Sequence, residues 1–72
     1  MKDIEDVVGL PKMHVEVKRV ERLDLYGAMA QAISECGESK PMVAHRRNNT
    51  EWLITMRASD WFGLYREWEA GQ

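Results

Sequence analysis

Cysteine occurs once in the 72 residues, at Cys36, so no disulfide can close within the chain. That absence points away from small secreted scaffolds and toward a reducing compartment, expected here to be the cytoplasm. Long apolar runs are missing too. No stretch approaches the roughly 20 apolar residues that cross a bilayer, and the acidic opening "MKDIEDVVG" does not fit a signal peptide. No membrane partner is expected. The cysteines of a zinc finger, internal repeats and low-complexity segments are all lacking. A core of this size rarely supplies more than about 3–5 kcal/mol of net stability. Association with further copies is the simplest source of extra buried surface, and three tryptophans add to that expectation. A basic excess is also lacking. The net charge of −2 argues against a general nucleic-acid coat protein.

What is present is local order in the charges and the apolar residues. Acids crowd the first six positions, and bases gather at Lys18-Arg19, Arg22 and Arg46-Arg47. Residues 4–8 read as a short strand, closed by the turn "GLPK". "MHVEVKRV", residues 13–20, alternates with period two, as a strand with one face buried does. Met13, Val15 and Val17 then point one way, and His14, Glu16 and Lys18 the other. Asp24 caps a helix in which Leu25, Ala28, Met29, Ala32, Ile33 and Cys36 form one stripe, stopped by Gly37.

Residues 42–46 read as a strand covered on both sides, "RNNT" as a turn, and residues 52–56 as the next strand. Ser59 is the expected cap of a last helix, with Trp61, Leu64, Tyr65 and Trp68 on one stripe. The predicted fold is α/β, a single domain over residues 1–72, in the order β-β-α-β-β-α. The strand–helix–strand segment is long enough to make its two strands parallel neighbours, and the short turns imply antiparallel hairpins on either side.

The strand "VEVKR" carries a carboxylate and an ammonium on one face. If the first hairpin turns about Pro11, Asp6 stands opposite Glu16. Directly opposed residues have Cβ atoms about 4.5–5.5 Å apart, where like charges repel. Such a pair needs a shared proton or a cation. Lys18 supplies one positive charge, and a divalent ion would supply the rest. Magnesium, which takes one or two protein carboxylates with waters and phosphate oxygens, matches that donor set. Bound there, it would polarise a phosphodiester and acidify a water, with Lys18 steadying the developing charge. The plainer reading of "EVK" is a solvated strand edge, a pattern that chance supplies in roughly one such chain in four from average residue usage.

Asp6 followed by "VVGLP", then "HVEVKRVERLDL", a helix containing Gln31, and "PMVAHRRNNTEWLITMR" resemble the phage-associated, Holliday-junction-resolvase-like branch of the PD-(D/E)XK nuclease superfamily. The likeness runs from about residue 6 to residue 68. It implies a minimal restriction-endonuclease-like mixed sheet and metal-dependent endonuclease cleavage of DNA, including branched DNA, with Mg2+ or Mn2+ as cofactor. Asp6, Glu16 and Lys18 match the motif's aspartate, second acid and lysine. The resemblance makes the Val17 carbonyl a further metal ligand and puts Gln31 at the helix position near the site. Glu5 stands where the motif name has proline, and only five residues precede Asp6, where the family carries a helix and a first strand. Without such a helix one sheet face lacks cover. Trp52, Trp61 or Trp68 would then be exposed in a monomer and buried in a homo-oligomer, a dimer being favoured.

The remaining candidates have plain alternatives. Arg19, Arg22, Arg46 and Arg47 are the expected nucleic-acid-binding residues; solubility is their other use. His14 and His45 read first as structural histidines within reach of a metal or phosphate. Cys36 reads as packing, and the aromatic stripe as core or interface. The alternative function is a catalytically inactive nuclease-like subunit that binds DNA or oligomerises. A protein-interaction module is a third.

Overall fold

The alternating segment "MHVEVKR" becomes strand β1 (Met13–Arg19) in the computed structural model, which describes residues 10–72. The strand expected at residues 4–8, and Asp6 with it, lies outside the described residues. The Asp24 carboxylate accepts a hydrogen bond from the Gly27 amide at 3.0 Å and starts helix α1 (Leu25–Glu35). A Cβ at position 27 would collide with that carboxylate, so glycine permits the cap. Beyond the helix Gly37 adopts φ 56°, a left-handed conformation that suits glycine. The helix stops at Glu35, one residue before the expected end, and Cys36 becomes its C-cap.

Strand β2 (Lys40–Arg46) starts two residues earlier than the pattern in "PMVAHR" predicts, and a turn with Asn49 at φ 63° leads to β3 (Leu53–Met56). The order of the sheet is β1-β2-β3. β1 and β2 are parallel, with Glu16 beside Val43, Lys18 beside His45 and Arg19 beside Arg46. β2 and β3 are antiparallel, with Val43 beside Thr55. The order among the described residues is therefore β-α-β-β-α, a small mixed α/β arrangement. The parallel crossover and the second hairpin agree with the sequence pattern.

The core lies between α1 and the middle strand. Ala28, Met29 and Ala32 pack on Val43, with Leu23 and Leu25 beside them. Two alanines on the helix face let the backbone come close to the sheet. Burying Val43 completely stabilises the fold by about 1.5–3 kcal/mol. Pro41 through Ala44 are all buried, as expected of a strand covered on both faces.

One feature of the packing reverses the expectation. Val43 faces α1, and parallel register places Glu16 on the same side. The helix thus covers the polar row His14, Glu16 and Lys18, while Val17 on the other row is 41% exposed. Alternation identifies two faces, but the helix chose its side by where its small residues meet Val43.

Helix α2 (Ala58–Ala70) starts before Ser59. Arg57 is the N-cap residue, its carbonyl accepting from the amides of Asp60 and Trp61, and no side chain caps the helix. Asp60 serves the first turn instead. It compensates the helix dipole and accepts from Arg57 Nε at 2.8 Å. Trp61, Tyr65 and Trp68 form a ladder: the first two rings stack at a centroid distance of 5.6 Å, and Trp68 is tilted against Tyr65 at 5.7 Å. No residue of this helix is buried, so the ladder is a surface and not core.

Candidate functional site

The helix of a strand–helix–strand unit runs back along the strand before it, so its last turn lies beside that strand's first residues. This places Glu35 of α1 next to His14 and Glu16 of β1. His14 Nε2 lies 2.8 Å from Glu16 Oε1 and 3.7 Å from Glu35 Oε2. One ligand atom from each of the three side chains falls within 4.8 Å of the others. The Glu16 side chain is 20% exposed, that of His14 31% and that of Glu35 47%. The cluster therefore opens to solvent on the helix side.

Glu16 ionises more readily than an ordinary glutamate. A hydrogen bond from the Glu35 carboxyl is the largest cause, followed by one from His14. Partial burial works the other way, and the charges of His14 and Lys18 add smaller favourable contributions. Two carboxylates meeting at such range share a proton or a cation. Among the described residues, the basic group within ion-pair distance of both is His14.

Lys18 follows on the same face of β1, half-buried and aligned with His45. Glu16 and Lys18 thus share one face, as the alternation predicts, but it is the face that the helix covers. Gln31 stands one turn before Glu35 and donates to Glu35 Oε1 at 3.4 Å. It touches the rim of the cluster through Glu35 rather than through Glu16. Val17 lies between Glu16 and Lys18, with its side chain on the opposite face. Asp6, the other expected ligand, is outside the described residues. The carboxylates of Glu16 and Glu35 suit a hard divalent ion such as Mg2+, whereas the His14 nitrogen also suits a borderline one.

The arginines divide. Arg19 and Arg46 end β1 and β2 side by side, and both guanidiniums lie over the Trp52 ring, at 6.0 and 5.6 Å from its centroid. Alternation puts this trio on the face opposite Glu16 and Lys18, three residues further along β1, a distance of roughly 10 Å. Arg22 is exposed in the bend after β1, and Arg47 in the turn after β2, so neither joins the pair. Arg46 and Arg47 also edge an open cleft of about 400 Å3 whose wall includes Val20, Leu23, His45 and Thr50. That cleft sits at the carboxyl ends of the parallel strands, where open α/β sheets commonly bind ligands. His45 is held by Thr55, at 2.8 Å from Nε2 to Oγ1.

Two members of these groups escaped the reading of the sequence. Glu35 was not among the expected site residues; its signal was the return path of the helix. Trp52 was assigned to a strand, but it precedes β3 and receives the two arginines.

Together these elements define a small mixed α/β domain with a His–Glu–Glu cluster on one sheet face and an arginine–tryptophan cluster on the other. Comparisons with protein-family models, curated proteins and solved structures found no match, so the functional reading rests on the residues themselves. Among the described residues, no helix is long and apolar enough to cross a membrane.

Proposed function

We propose that the protein is a metal-dependent DNA endonuclease of the PD-(D/E)XK type, with branched, Holliday-junction-like DNA among its substrates. The observation that carries this reading is the pairing of an ionised, largely covered Glu16 with Lys18 on one face of β1. Asp6, Glu16 and the Val17 carbonyl would hold Mg2+ or Mn2+. When bound, the ion supplies polarisation of the phosphodiester and a more acidic water. Lys18 places an ammonium where negative charge develops on the phosphate. Gln31 acts as a positioning residue through Glu35. Arg19 and Arg46 bind phosphate from the far side of β1, and Arg22 and Arg47 extend the basic rim.

The proposed assembly is a homodimer in the cytoplasm of a phage-infected or bacterial cell. The exposed aromatic ladder of α2 supports it, Trp61 being 50% and Trp68 60% exposed. Two sites would address two symmetric strands of a junction. A monodisperse monomer of about 8 kDa in light scattering at micromolar concentration would overturn the dimer.

The cleavage test mixes the protein with linear duplex and four-way-junction DNA in magnesium, manganese or EDTA, beside Glu16→Gln. Metal-dependent cutting lost in Glu16→Gln is the expected result. Retarded but uncut DNA would replace the reading with a second one, a DNA-binding subunit without catalysis. The arginine–tryptophan cluster favours that alternative, since it stands apart from Glu16. Absence of both effects would leave a protein-interaction module.

A further inference from the structure

We propose that His14, Glu16 and Glu35 form a binding site for a borderline transition-metal dication, with Zn2+ as the best fit. The donor set is one imidazole nitrogen and two carboxylate oxygens, drawn from the start of β1 and the last turn of α1. Zinc takes such ligands at about 2.0–2.2 Å in a tetrahedron, which spaces the ligand atoms at somewhat over 3 Å. The separations of 2.8 and 3.7 Å from His14 Nε2 bracket that spacing. All three atoms lie within 4.8 Å of one another, so side-chain rotations that move the ligand atoms by at most about 1.5 Å close the triangle. Glu35 reaches from the solvent side, which leaves room for a water as fourth ligand.

The nitrogen decides the metal class. Magnesium prefers oxygen and keeps most of its waters, so His14 adds little for it. Zinc gains from imidazole and binds more tightly than manganese at such mixed sites. The fold also provides the reason the ligands meet: His14 and Glu16 are two apart on one strand face, and the crossover returns Glu35 to the same end. Cys36 follows Glu35, but its thiol donates to the Ile33 carbonyl at 3.1 Å and is not one of the three donors.

This proposal shares Glu16 with the nuclease reading but does not depend on it, and its test contains no DNA. Tag-free full chain is titrated with ZnCl2 in a calorimeter, with MgCl2 as contrast. The expected result is one zinc per chain with micromolar Kd, against no magnesium heat in the same range. His14→Gln and Glu35→Gln should each weaken zinc at least tenfold. Cys36→Ser and Glu38→Gln should bind as the unmodified chain does. Circular dichroism of each variant checks that the fold is retained, and Glu35→Gln, at an exposed helix position, is the variant least able to disturb it. Millimolar Kd for the unmodified chain overturns the proposal. So does unchanged binding in both His14→Gln and Glu35→Gln, or loss of binding in Cys36→Ser, which would place zinc on other donors.

Discussion

Val43→Ala tests how far the site depends on the core. Val43 is fully buried, packs on Ala28, Met29 and Ala32, and lies beside Glu16 in the parallel register. The substitution removes two methyl groups, worth about 0.8 kcal/mol each in transfer free energy. The cavity left between helix and sheet adds to this, since two elements held by the same side chain cannot both move in. The expected loss is about 2–3 kcal/mol. A core of this size rarely supplies more than about 3–5 kcal/mol, so that loss takes most of the stability. Urea denaturation followed by tryptophan fluorescence reads it as a lower midpoint with little change in slope. Zinc titration of the variant should weaken in parallel, because α1 and β1 then hold Glu35 and Glu16 less firmly. A loss below about 0.5 kcal/mol would refute the assignment of Val43 to the centre of the core.

Three further outcomes are expected. Asp24→Ala removes the cap on α1 and should cost about 1 kcal/mol in the same urea assay, whereas Asp24→Asn should cost less. Glu16 has a depressed pKa, so its stabilising contribution is present above its ordinary value of 4.5 and is lost as pH falls below that through the folded value. Urea midpoints from about pH 6 down to about pH 3 should therefore drop less in Glu16→Gln than in the unmodified chain; equal drops would count against an ionised Glu16. Replacing Arg19 and Arg46 together by glutamine should flatten the salt dependence of duplex-DNA binding by about two in log–log slope. An unchanged slope, measured by fluorescence anisotropy at several salt concentrations, would remove the pair from the phosphate contacts.

The sequence by itself determined the elements of the described chain. Period-two alternation marked β1, Asp24 and Gly37 marked the ends of α1, and the length of the crossover implied that β1 and β2 are parallel. These are local properties, set by side-chain periodicity and by backbone conformations that few residues tolerate. Ser59 was a plausible cap on the same logic, but Asp60 bonded to Arg57 served the first turn and the helix began earlier. That competition is between neighbours and leaves little trace in the pattern.

Only the tertiary structure decided which face of β1 the helix covers, and hence that Glu16 lies under α1 beside Glu35. Alternation divides a strand into two faces without saying which one a helix will choose. That choice depended on how closely Ala28 and Ala32 approach Val43, which follows them by 15 and 11 residues in the chain. The same is true of Arg19, Arg46 and Trp52, which meet because two strands end in register beside the third. Pairings across such distances come from register and packing density, which no single segment carries.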